Sequence, residues 1–271
     1  MKKLVLALTA LAAFTGSASA ADLGARPYAK APAPVAMAPS WTGFYIFGGG
    51  GGGVWDANGG VDATATGTCI ICTNTRTGGD GWFGTVGVGY DWQASPSWVF
   101  GVFGDGTFGS LKGNIGDAGV IGAGSITGGI VGTTKMETAW AVGARLGYLV
   151  APNVLSYVNA GYTGTYWTGS TLLNSDTGTA SGLHTDRFNT GGAFVGGGVE
   201  NNLNIFGITA PGWFMKTEYR AAYLDSKRLS ERLDGTNALF GRDITFKPFV
   251  QTISTSLVYR FNWGGPVVAK Y

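Results

Sequence analysis

Charge is scarce in this chain: 18 basic and 16 acidic residues make up 13% of 271, against roughly 25% in an ordinary soluble domain. Histidine occurs once and cysteine twice, so a closed zinc site lacks the ligands it needs. No apolar run reaches the roughly 18 to 20 residues of a membrane-spanning helix, the longest being the interrupted stretch from Leu4 to Phe14. Abundance points the other way, with 48 Gly, 15 Phe, 11 Tyr and 9 Trp. So many aromatic and β-branched residues exclude disorder, and glycine without a three-residue period excludes collagen. A β structure, packed or embedded in a membrane, remains.

The amino terminus carries an export signal. Lys2 and Lys3 precede the apolar Leu4 to Phe14 stretch, and Ala18-Ser19-Ala20 supplies small residues for cleavage. Cleavage there removes two lysines and no acid, leaving 16 basic and 16 acidic residues. That balance gives nucleic-acid binding no electrostatic basis. Residues 21–40 hold Pro27, Pro32, Pro34 and Pro39 among alanines, the composition of an extended periplasmic linker. The expected domains are thus a signal peptide over 1–20, a linker over 21–40 and one β domain over 41–271.

A spanning strand needs only about 9 to 11 residues, apolar at every second position. Trp82, Val86, Val88, Tyr90 and Trp92 alternate with Thr85, Gly87, Gly89 and Asp91, and Trp98, Phe100 and Val102 with Gly101 and Asp105. Trp140, Val142, Ala144, Leu146 and Tyr148 alternate with Gly143, Arg145 and Gly147. Trp213, Met215, Tyr219, Ala221 and Tyr223 oppose Lys216, Glu218 and Arg220. Eight strands are expected near 42–54, 82–93, 97–109, 137–149, 153–167, 189–202, 212–225 and 247–262. The first contains the six glycines Gly48 to Gly53, expected to make it irregular or unusually close to its neighbours. An even number of antiparallel strands closes into an up-and-down transmembrane barrel without edges.

Connector lengths support this reading. Long stretches near 55–80, 110–136, 168–188 and 226–246 alternate with short ones near 94–96, 150–152 and 203–211, which hold Pro96, Pro152 and Pro211. Outer-membrane barrels pair short periplasmic turns with long external loops, so the long set is expected outside the cell. Trp82, Trp92, Trp98, Trp140, Tyr148, Trp167 and Trp213 are expected to form aromatic girdles. A soluble sandwich or lipocalin-like barrel would have to bury the charges on the glycine-rich face at a cost of several kcal/mol per unpaired ion. Asp105, Arg145, Glu200, Lys216, Glu218, Arg220 and Arg260 are therefore expected inside the barrel as an ion-paired plug, because an eight-stranded lumen is just wide enough for side chains to fill.

These residues resemble the outer-membrane immunogenic proteins of alphaproteobacteria, small surface antigens that look like OmpA-type eight-stranded barrels. The resemblance is carried by Trp41-Thr42-Gly43-Phe44-Tyr45 after a Pro/Ala linker, by Gly143-Ala144-Arg145-Leu146-Gly147-Tyr148 and by Gly196-Gly197-Gly198-Val199-Glu200. Lys216-Thr217-Glu218-Tyr219 and the ending from Tyr259-Arg260-Phe261-Asn262-Trp263 to Val267-Val268-Ala269-Lys270-Tyr271 complete it. It implies an outer-membrane location, lipid and barrel-assembly-machinery partners, peptidoglycan or host-surface contacts, a role in envelope integrity and, in some members, haem binding. Where the family tends to read Gly-x-Glu-Gly-Asp, this chain has Gly101-Val102-Phe103-Gly104-Asp105, an aromatic ring in place of one inward carboxylate.

Chemical motifs are sparse. Cys69 and Cys72 lie in the first long connector, where an exported compartment favours a disulfide. His184, with Ser181 and Asp186 nearby, is the sole grouping with the elements of a nucleophilic triad, and short polar loops produce such a trio by chance. No catalytic, metal or cofactor site is expected, and one histidine offers poor haem ligation. The function expected is a structural, surface-exposed barrel. A narrow porin or haem-like ligand carrier is the alternative.

Overall fold

The computed structural model describes residues 40–116, 120–122, 125–127, 129–208 and 210–261, without the side chains of 69–75, 120–122, 125–127 and 205–206. The signal peptide, most of the linker, the closing segment after Phe261 and the side chains of Cys69 and Cys72 lie outside the described residues.

Eight long antiparallel strands form a ring. In order around it they are β1 (Gly43–Ala63), β2 (Cys69–Gln93), β3 (Trp98–Gly116), β6 (Ile130–Ala151), β7 (Val154–Trp167), β10 (Phe188–Asn202), β11 (Trp213–Leu224) and β13 (Leu239–Arg260). Pairing of β1 with β13, from Tyr45↔Arg260 to Ala63↔Arg242, closes the barrel and leaves no edge. The short elements β4 (Val120–Gly122) and β5 (Ser125–Thr127) pair with each other. β8 (Ser170–Asn174), β9 (Ala180–Thr185) and β12 (Lys227–Leu233) complete the chain.

These last three correct the expectation of long irregular connectors. β8 pairs with β6 and β9, β9 with β12, and β12 with β13, so they take over the places of β7, β10 and β11 as the barrel continues beyond the ends of those strands. Residues 55–63 and 69–80 are likewise strand. The 21 residues of β1 cover about 70 Å at ~3.3 Å per residue, or roughly 50 Å of height at a ~45° tilt, twice the ~25 Å apolar band of such barrels.

Outward side chains show where that band lies. On β1 they are Phe44, Ile46 and Val54, followed by Asp56 and Asn58; on β3, Trp98, Phe100, Val102 and Phe108, followed by Ser110 and Lys112. Exposed Trp82, Trp92, Trp98, Trp140, Tyr148 and Trp213 mark its rims. Trp167 does not belong to them. It shares the inward parity of Thr163 and Thr165 and is buried in the lumen, while Tyr166 takes the outward position.

The six-glycine run is regular, contrary to one of the two alternatives. Gly48 to Gly53 keep an unbroken register with both neighbours. Closeness is what the glycines provide, since a β-carbon at Gly49 or Gly51 would strike the carbonyl oxygens of Thr255 or Ile253 on β13.

Candidate functional site: the ion-paired lumen

The seven charged residues expected inside the barrel all project into it, in two layers. Nearest the short turns, Arg145 on β6 donates from Nε to Asp91 Oδ1 (2.9 Å), from Nη2 to Asp91 Oδ2 and from Nη1 to Glu200 Oε2 (3.0 Å). Arg260 on β13 donates from Nε to Glu200 Oε1 (2.8 Å) and from Nη2 to Asp91 Oδ2 (2.8 Å). Two guanidiniums and two carboxylates thus alternate in a closed ring whose side chains are at most 3% exposed. The planar forks of arginine suit this double recognition. Trp41 caps the ring from below. Its ring stacks under Arg260 (4.3 Å), and its Nε1 donates to the Pro152 carbonyl (3.3 Å).

Glycine makes these contacts possible. Asp91 and Arg145 stand on strands separated by β3, both in register with Gly101, and a β-carbon there would collide with the Asp91 carboxylate. The same device recurs at Gly198, which lies in register with Tyr157 on one side and Glu218 on the other. Across it the Tyr157 hydroxyl donates to Glu218 Oε2 (2.7 Å).

The second layer stands on β11. Arg220 grips Asp105 through both Nη atoms (3.0 and 2.7 Å) and lies 2.5 Å from Glu218 through Nε. Glu218 also accepts from Asn159 Nδ2 (2.9 Å). Lys216 is less well served, its Nζ 3.9 Å from Glu218 Oε2 and 3.4 Å above the Phe47 ring. Phe103 is buried, and Arg220 lies over its ring (5.0 Å). The charge network closes around this aromatic residue.

Above the charges lies a small cavity of about 70 Å³ with a polar end at Lys216, Glu218, Arg220 and Asp105 and an apolar end at Met136 and Val250. Beyond that end an aromatic roof fills the upper barrel. Trp55 meets Trp167 edge-on (5.2 Å), Trp167 stacks on Phe188 (5.9 Å), and Phe246 packs against all three.

Asp91 is the member the expected set lacked, although its alternation with Tyr90 and Trp92 already placed it on the inner face. Tyr45, Tyr157 and Asn159 also belong to the lumen, and no charge flags them in the sequence.

The candidate triad is not assembled. Ser181 Oγ donates to the Leu172 carbonyl (2.7 Å), Asp186 pairs with Arg232 (2.7 Å), and His184 Nδ1 contacts Asp234 (2.7 Å) across the β9 to β12 seam.

No family model matches this sequence, and the search of curated proteins found no match. Among solved structures the chain is similar to the outer membrane protein OprG from Pseudomonas aeruginosa, at 11% identity over 81% of this chain and 97% of that one, with a TM-score of 0.49. It is also similar to Neisserial surface protein A, at 12% over 81% and 98% with a TM-score of 0.37. The outer membrane protease OmpT from Escherichia coli matches at 12% over 81% and 97%, with a TM-score of 0.40. The transmembrane barrel assignment rests on the closed strand register and the outward apolar band.

Proposed function

We propose that this chain is a non-conducting, surface-exposed outer-membrane barrel, without enzymatic activity, that contributes to envelope integrity and surface contacts. The single observation that carries the reading is the ring of Arg145, Asp91, Arg260 and Glu200 across the lumen. With every guanidinium paired twice, an ion would have to break a buried charge pair to pass. The rigid barrel continuing beyond the apolar band is the part that meets the surroundings, in keeping with the resemblance to alphaproteobacterial surface antigens. In this reading the chain is exported by a cleaved signal peptide, inserted by the barrel-assembly machinery and surrounded by outer-membrane lipid. Peptidoglycan or host surfaces are its further contacts.

Planar-bilayer recording tests the plug. Refolded protein is expected to give no stable single-channel openings, and sustained openings of the wild-type barrel would replace this reading with that of a narrow porin. Orientation is tested by reducing intact cells and adding a membrane-impermeant maleimide. Cys69 and Cys72 begin β2 at the end of the barrel remote from the short turns, so intact cells should label. Labelling only after lysis would invert the topology.

A further inference from the structure

Just beyond the apolar band, the outer wall of β3 and β6 collects positive charge. On β3, Lys112 follows Phe108 and Ser110 on the outward face, and on β6 Lys135 follows Trp140 and Thr138. The two lysines stand directly opposite each other in the β3–β6 register. Facing side chains of an antiparallel pair start only about 4.5–5.5 Å apart, and like charges placed so repel. Lys135 holds Glu137 at 3.0 Å, and Arg187, the residue before β10, attracts the same carboxylate. Asp80 faces Lys112 from β2, but the two form no ion pair among the described residues. Three cations therefore meet two carboxylates, and the repulsion between the opposed lysines is only partly offset.

On the β13–β1–β2 side of the barrel the cations do not bunch in this way. Arg76 pairs with Asp56 (3.2 Å), and Lys247 stands opposite the neutral Asn58. Below the two lysines lie Phe108, Trp140, Tyr162 and Tyr166, all exposed on the lipid face, with Trp140 and Tyr162 in contact (6.1 Å). Aromatic rings at the rim of the hydrocarbon sit at headgroup level, so basic groups directly above them meet the charged part of the lipid. We propose that Lys112, Lys135 and Arg187 form a binding site for the phosphate of an anionic lipid headgroup, with the acyl chains along Phe108, Trp140 and Tyr166. The phosphate offers several acceptor oxygens to the three donors and cancels the repulsion between the opposed lysines. The site rests on the membrane placement of the barrel and is separate from its surface role.

The test combines two measurements on the refolded protein. One is guanidinium unfolding from phosphatidylcholine vesicles with and without phosphatidic acid; the other is native mass spectrometry of lipid retained by the protein in micelles. Wild-type protein is expected to retain phosphatidic acid at least about tenfold better than phosphatidylcholine, as three basic groups at a membrane surface allow. Lys112→Gln should act oppositely in the two vesicles. In phosphatidylcholine it relieves repulsion and leaves the unfolding midpoint unchanged or higher, while with phosphatidic acid it lowers the midpoint. Equal shifts in both vesicles overturn the proposal, since a lysine with a merely structural role would give them. Lys112→Gln combined with Lys135→Gln should bring retention down to the phosphatidylcholine level, and Lys247→Gln should leave it unchanged. Should the double variant fail to show heat-modifiable migration, Arg187→Gln alone should weaken retention. Equal retention of the two lipids by wild-type protein, or full retention in a folded double variant or in Arg187→Gln, overturns the site. If inorganic phosphate binds as strongly as phosphatidic acid, the site takes free anions and the lipid assignment falls. Wild-type protein that does not insert into vesicles overturns the membrane placement itself, whereas inserted protein without lipid preference overturns the site alone.

Discussion

The lower and upper halves of this barrel are built on the same strands and obey opposite rules. On β13 the lower half points Ile253 and Leu257 outward and Ser254, Ser256 and Arg260 inward; further along, Lys247 is outward and Phe246 and Ile244 inward. β1 and β3 show the same change, between Val54 and Asp56 and between Phe108 and Ser110. Side-chain parity continues across the switch, so only the residue types change. Below it the surrounding solvent is hydrocarbon, and the polar groups withdraw inside, where they must satisfy one another. Above it the solvent is water, and the aromatic cluster of Trp55, Trp167, Phe188 and Phe246 forms an ordinary core. The level of the switch therefore marks one boundary of the membrane, read from chemistry alone.

If that division is right, the two halves break in different ways. Arg145→Ala should have the largest effect, because it leaves Asp91 and Glu200 sharing a single guanidinium in a sealed layer. Breaking one partner out of a buried ion cluster costs about 3–5 kcal/mol, measurable by guanidinium unfolding from lipid vesicles. A loss below about 1 kcal/mol would mean that water reaches the ring and screens it. Trp167→Ala should come close, at about 3–5 kcal/mol for removing a buried aromatic side chain, but with a different signature. Protease added outside vesicles should cut the upper barrel while the protected lower barrel keeps its heat-modifiable migration. Cooperative loss of both halves would show that the roof and the membrane barrel fold as one unit.

The same division explains what could be read from the sequence. Strands whose outer face is apolar were legible by period, as in Trp82 to Trp92 or Trp213 to Tyr223, and the charged inner set followed from them. Residues 55–63 and 239–246 read as connectors in the sequence because their apolar side chains, Trp55, Ala57, Val61, Ile244 and Phe246, lie on the face that carries glycine and polar residues lower down. A search for apolar-outward strands must stop where the polarity reverses. The ring partners of Arg145 were only half visible, since Asp91 and Gly101 lie in separate strands and a single sequence does not show that they share a register. Trp167 differs from the expected girdle for a related reason: it lies near a strand end, but its parity turns it into the lumen.

Charge placed on the outer face sharpens the boundary. Tyr219 projects outward midway along the exposed face of β11, between Trp213 and Tyr223. Tyr219→Arg should cost about 2–4 kcal/mol in refolding into vesicles if it lies near the midplane. Thr133, equally outward on β6 but level with the upper barrel and opposite Asn114, should accept arginine within about 0.5 kcal/mol. Similar losses at the two positions would erase the proposed switch.

The smallest effect is expected from the ion pair that most resembles the ring in its chemistry. Arg76 Nη2 lies 3.2 Å from Asp56 Oδ2, an Arg–Asp contact like that of Arg145 with Asp91, but its side chains are 75% and 38% exposed. Water already solvates both groups, salt screens them, and holding two long side chains in one geometry costs entropy. Arg76→Ala should therefore change stability by only about 0.2–1 kcal/mol, and less in high salt. Unfolding both alanine variants at low and high ionic strength gives the comparison. The Arg76 effect should shrink with salt, while the Arg145 effect should persist, because ions cannot enter a ring whose members are already paired. An Arg76 loss as large and as salt-resistant as that of Arg145 would place Asp56 inside the low-dielectric region, and with it move the boundary above Val54.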